Sequence, residues 1–328
     1  MSPVYHFYLI SARCIALAWL RDPANVIDWT LLQALLAEFP SHQQLAGHCM
    51  AHHLKLVTQP LPIPGADIAE YHRDRRFVRQ YLDGVEDRTQ MAVQVMLIAE
   101  DLCNRSLWQE CLDFIGHFQK FLPEHSDVRY VVDFAKAICL VYQAQWKAAR
   151  RFIHNMMLRR HGDSRNLDAL MVIAVLAPFR LLADSTLANT GHRPSLASIP
   201  VPRIAAPAFE RFMQSIPELR ADLKRTAASP YLFPAYILAM RTFHPAVLME
   251  DIMTLSEAPH ICMTRETRLL SLYTVFTVPL EFGKSSSPFA MMTYDAFRRR
   301  MQELEFPTDA WSQSIVRLLT RFLSVGEA

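Results

Sequence analysis

An all-α fold built from consecutive helical hairpins is what this 328-residue sequence predicts, on three observations. One pattern occurs twice between Met91 and Met157: Val93, Ala99, Leu102, Trp108, Phe114 and Ile115 recur 38 residues later as Val131, Ala137, Leu140, Trp146, Phe152 and Ile153. Apolar residues elsewhere fall in stripes at helical spacing. Eight glycines are too few for a Rossmann or phosphate-loop enzyme or a turn-rich β fold, and the 20 prolines cluster as punctuation between helical blocks.

The first element is a helix over residues 5–20, apolar over most of its surface and broken at Asp22-Pro23. Asp28 or Thr30 caps a second helix through Phe39, with Leu31, Leu32, Leu35 and Leu36 on one stripe before Pro40. Ser41 caps a third, to about Thr58. Gln59 to Gly65 holds three alternating prolines and cannot continue a helix. Asp67 to Arg88 is the most charged segment. Its Arg73, Arg75 and Arg76 are candidate interaction residues on what is otherwise a solvated face of mixed sign.

In the first copy of the repeat, Val95, Ile98, Ala99 and Leu102 share one helical face. A turn at Arg105-Ser106 leads to a second stripe of Trp108, Cys111, Ile115 and Phe118, closed by Pro123. The small Ala99 and Cys111 sit where two helices of a hairpin cross, and small side chains let backbones approach there. Ala137 and Ala149 hold the same places in the second copy, with Leu140, Ala144, Trp146, Ile153 and Met156 completing it.

These positions resemble the tetratricopeptide repeat, a helix-turn-helix unit of about 34 residues with small crossing residues and a terminal proline. The resemblance covers residues 91–157. It departs from the family in its 38-residue period, in alanine at the usual glycine of the first helix, and in ending the second copy at His161-Gly162 without proline. It implies a right-handed superhelix of stacked hairpins whose surface binds other proteins.

Beyond the repeats, Asp163 or Ser164 caps a helix over Asn166 to Ala183, which Pro178 is expected to kink or end. Residues 191–207 carry four prolines and no helical period, and read as a linker between a repeat domain at 1–190 and a C-terminal helical domain at 208–328. Shorter helices are expected at Ala208–Ser215, Glu218–Ala228, Pro234–Thr242, Pro245–Leu255, 264–276 and Tyr294–Leu304, with a last one starting near Thr308. The stretch 264–328, with β-branched residues at 274–278, reads either as a helical cap or as a small winged-helix-like module resembling those of PCI-type complex subunits.

A net charge of +2 gives no strong electrostatic pull toward nucleic acid or anionic membrane. Arginines outnumber lysines 28 to six, a bias of a GC-rich genome or of arginine-rich contact faces. Cys14, Cys49, Cys103, Cys111, Cys139 and Cys262 show no CxxC spacing, which fits a reducing, intracellular compartment. Tyr5 to Leu20 is interrupted by Arg13, and Leu170 to Phe179 is ten residues, so no membrane span is expected. The N-terminus lacks the charged start and cleavage site of a secretory signal, and one arginine before Asp22 is thin for an organellar presequence.

Candidates for chemistry are sparse. His48, Cys49, His52 and His53 include two histidines one helical turn apart, without the glutamate of a zinc-protease helix. Gly283-Lys284-Ser285 lacks the upstream glycine of a phosphate loop, since Val278 stands there. His260, Cys262 and Cys103 have no placed general base. Arg298, Arg299 and Arg300 form a compact basic run that could meet phosphates, but Glu303 and Glu305 offset it. The expectation is a non-catalytic scaffold or adaptor subunit in the cytoplasm or nucleus, with no cofactor and other protein subunits as partners. The alternative is a nucleic-acid-associated subunit using 264–328.

Overall fold

Every regular element described in the computed structural model is a helix, and no strand occurs among the described residues. Those residues are 2–20, 29–41, 107–123, 127–159, 165–190 and 199–256, with single positions 44, 47, 92, 95, 96, 98, 99, 102, 103, 274, 313 and 317. The winged-helix reading of 264–328 therefore falls almost wholly outside them. The chain divides into two compact units, Met1–Lys136 and Ala137–Ala328.

In the first unit, α1 spans Pro3–Leu20 and α2 spans Trp29–Ala37. Ser2 starts α1 as an N-cap: its hydroxyl accepts the Tyr5 N–H at 3.3 Å, and Pro3 follows at the first helical position. α2 stops two residues short of the expected Phe39. The Glu38 and Phe39 N–H groups reach back three residues, to Leu35 and Leu36, because the residue before Pro40 is held out of the helical region. Phe7 meets Phe39 edge-on, with centroids 5.2 Å apart. Glycine is required at 47, where a Cβ would overlap Leu36 Cδ2 and lie 2.9 Å from Phe39 Cε2.

Further along this unit, helical Ala92, Val95, Ile98, Ala99 and Leu102 are buried. α3 (Trp108–Phe118) buries Trp108, Cys111, Phe114, Ile115 and Phe118, a 3–4 spaced stripe, and a 3-10 turn follows at Gln119–Phe121. α4 runs Asp127–Tyr142. Its start is tied to the 3-10 turn by a polar network: Arg129 donates to Asp133 Oδ1 (3.1 Å) and to the Gln119 carbonyl (2.7 Å), and Lys136 donates to Gln119 Oε1 (2.8 Å).

The second unit holds the end of α4, then α5 (Trp146–Arg159), α6 (Arg165–Thr190), α7 (Ala206–Ala221), α8 (Leu223–Ala227), α9 (Leu232–Phe243) and α10 (Pro245–Ser256). α6 is its hub, packed on α5, α7 and α9. Every residue from Leu167 to Ala177 is buried, so this helix has no solvent stripe at that level. Its segment Arg165–Ala183 is long and apolar enough to cross a bilayer by length and composition, more than the ten-residue run suggested, but it lies mostly buried among its neighbours.

Pro178 does not end α6, which continues to Thr190. A proline lacks the N–H that would bond the carbonyl four residues back, here Ala174, which is fully buried. Arg150 of α5 supplies the missing donor: its Nη1 lies 2.8 Å from the Ala174 oxygen. Desolvation lowers the pKa of Arg150 from its ordinary value, the electrostatic cost of reaching that carbonyl. α7 likewise runs through Pro217 where two helices were expected, but Pro217 is exposed and solvent can serve the carbonyl it frees.

Two buried carboxylates fix α7 against its neighbours. Asp168 of α6 accepts a two-pronged bond from Arg211, Nε to Oδ2 at 3.0 Å and Nη2 to Oδ1 at 2.6 Å. Asp251 of α10 accepts from Arg220 Nε at 2.9 Å and from the Tyr236 hydroxyl at 2.5 Å. Burial first, and then the bond to Asp251, push the Tyr236 phenol above its ordinary range. The bond to Asp251 is also the leading reason that Arg220 is raised.

Replacing Arg150 with methionine should cost about 1–3 kcal/mol in urea unfolding, the penalty of an unmet buried carbonyl. In a Pro178→Ala background, the restored N–H should reduce that cost to well under half. Equal costs in the two backgrounds would show that Arg150 does not serve the proline gap. A second expectation concerns pH. The unfolded phenol of Tyr236 ionises near its ordinary 10.0, whereas the folded one keeps its proton to higher pH. The folded state therefore binds more protons above pH 10, and stability present below that value is lost as pH rises. Tyr236→Phe should be less stable at neutral pH by about 1–2 kcal/mol and should lose part of the alkaline decline. A decline of unchanged slope would assign it to other groups.

Candidate interaction groove

The repeat residues are placed as follows. Ala99, Leu102, Cys111, Ile115, Ala137, Ala149 and Ile153 are fully buried, and Trp108 and Leu140 nearly so. Pro123 is exposed. Cys111 Sγ lies 3.5 Å from the Ala99 carbonyl, a close approach between the two small residues of the first hairpin. Cys103 Sγ is 3.7 Å from Cys111 Sγ and 3.7 Å from the Ala135 carbonyl, which is the packing of thiols as small, weak donors.

The two inter-helix turns carry the same backbone bonds at the same offset. In the first, the Leu107 N–H bonds the Leu102 carbonyl and the Cys111 N–H bonds the Leu107 carbonyl, each at 2.9 Å. In the second, Gln145 bonds Leu140 and Ala149 bonds Gln145, each again at 2.9 Å. The Ala144 N–H also reaches the Val141 carbonyl at 3.0 Å, and Ala144 has φ 56°. These are the two bonds and the left-handed residue of a Schellman cap, which reverses the chain tightly after α4. Its counterpart Ser106 lies outside the described residues.

Trp108 and Trp146 are the first residues of α3 and α5, so their places in the hairpins correspond. Their burial does not: Trp146 is half-buried because it lines a groove. That groove, about 720 Å³ and open on one side, is bounded by the Schellman turn and first turns of α5, by Val175 to Leu182 of α6, and by Pro200 and Pro202. Val175, Pro178 and Phe179 form an apolar floor with Trp146, and Leu182 stands 70% exposed at its edge. Lys147 and Arg150 are the charged residues of its lining among the described residues.

Sequence reasoning singled out Trp146 and Ala144 but not Lys147, Arg150, Phe179 or Leu182. The signal was an acid-free run: from Phe134 to Gly162 the chain has no Asp or Glu but six Lys and Arg residues. An overall charge of +2 conceals it. The other candidates, Arg73, Arg75, Arg76, Arg298, Arg299, Arg300, the 48–53 histidine cluster, His260, Cys262 and Gly283 to Ser285, lie outside the described residues. Comparison with protein-family models, with curated proteins and with solved structures returned no match.

An alanine at a left-handed cap carries a steric cost of about 1–2 kcal/mol that glycine escapes. Ala144→Gly should therefore raise unfolding stability by about 1 kcal/mol, after allowing for the greater freedom of glycine in the unfolded chain. Chemical denaturation measures it, and a loss of stability would mean that the turn is not held in this conformation.

Proposed function

We propose that this chain is a non-catalytic adaptor, a protein–protein interaction subunit of a larger intracellular assembly. In this reading its hairpins belong to a tetratricopeptide-like stack that winds as a right-handed superhelix, with the C-terminal helices as its cap. The observation that carries the reading is the pair of turns with matching backbone bonds, Leu102–Leu107–Cys111 and Leu140–Gln145–Ala149, at one fixed offset. A fixed turn at a fixed period is how solenoid proteins repeat a hairpin, and stacked hairpins build extended surfaces suited to peptides and partner helices.

The groove beside the second turn supports the same function. Among the described residues its lining is mostly apolar, with Gln145, Lys147 and Arg150 as its polar side chains. Helix faces of this kind hold partners by apolar anchors with a charged rim.

Gentle affinity purification of the full chain from its native source, followed by mass spectrometry, should recover one or more protein partners in near-equal amount. A chain that elutes alone as a monodisperse monomer, with no partner retained after crosslinking, would remove the adaptor reading.

A further inference from the structure

Within the adaptor reading, on which this inference rests, we infer that the groove between α5 and α6 takes an acidic polypeptide segment anchored by a large apolar side chain. Three features specify that chemistry. The floor of Trp146, Val175, Pro178 and Phe179 offers apolar and aromatic surface. Every charge among the described lining residues is positive: Lys147 is exposed at the rim, and Arg150 is half-buried at the wall. Among the described residues no carboxylate lines the groove, and the acid-free run from Phe134 to Gly162 keeps α5 free of any.

Charge complementarity then selects the partner. A neutral apolar segment would cover the half-buried Arg150 and leave its charge without a counterion, which is costly for a desolvated cation, and would leave Lys147 at the rim unused. A basic segment would add like-charge repulsion. Carboxylates flanking an apolar anchor meet both cations while the anchor covers the floor. Arg150 already gives one Nη to the Ala174 carbonyl, which holds its guanidinium in place. A carboxylate would therefore meet a side chain whose ordering is already complete. The groove is open along one side and so admits a chain passing through it, whereas an enclosed pocket would suit a compact metabolite.

The test uses the immobilised full chain to select from a random peptide display library. The strongest selected peptide is then measured in solution by anisotropy and by Trp146 fluorescence. Selected peptides should be enriched in Asp and Glu around a Leu, Phe or Trp. Lys147→Glu, a rim change away from the Ala174 bond, should weaken the acidic peptide about tenfold or more and favour a charge-reversed version. Leu182→Glu, an exposed substitution, should weaken binding by a similar factor. Selection without acidic enrichment, no selected peptide at all, or binding indifferent to both substitutions would overturn the inference. So would a single-stranded oligonucleotide that binds the wild-type chain more tightly than the peptide and is released by Lys147→Glu. Co-purification of native partners that persists in both variants would overturn the groove assignment while leaving the adaptor reading intact.

Discussion

The bond from Arg150 to the carbonyl of Ala174 is the constraint on which the second unit depends. α6 must pass through the middle of that unit, and it does so with a proline in its buried half. A helix can survive an interior proline when something else meets the carbonyl the proline abandons. At an exposed site, as at Pro217, water suffices. At Ala174 it does not, and the donor has to come from a neighbouring helix at a fixed depth. That requirement sets the register of α5 on α6. It thereby brings Trp146 and Lys147 beside Phe179 and Leu182, so the groove and the repaired helix are two results of one contact.

The opposite flank is registered by a different device. Asp168 and Asp251 are buried carboxylates, each held by an arginine of α7, one facing α6 and the other facing α10. Such pairs add little net stability over well-packed apolar residues, but breaking one strands a charge, so they penalise any sliding of α7. Apolar burial makes this unit compact, and polar bonds decide which helix residues meet.

Much of the fold could be read from the chain because its signals were local. The 38-residue recurrence marked the two turns that share backbone bonds, and Ala99 and Cys111 do come together. Misreadings arose where a local rule met a distant partner. Pro178 reads as a kink or an end of the helix, and nothing near it in sequence shows that Arg150, 28 positions earlier, serves Ala174. The apolar run of α6 reads too short for a like reason: Arg180 seems to close the ten residues from Leu170 to Phe179, yet Asp168 and Arg180 are both buried within the helix. The groove was less legible still. Its walls come from three separated segments, and its chemical signature was an absence of acidic residues, which no motif records.

The composition of α6 also bears on how the chain is made. Its segment Arg165–Ala183 has the length and polarity of a bilayer-crossing helix. Of the helices that cover it, α5 is synthesised first, but α7 and α9 follow, and α9 ends about fifty residues after α6. At ordinary elongation rates this leaves α6 without its full cover for roughly 3–10 seconds on each nascent chain. During that interval the segment meets the hydropathy criterion by which translocation machinery selects membrane spans. Docking of α5, the one covering helix already synthesised, shortens that exposure, so the contact that completes α6 in the folded chain is also the first cover it can receive.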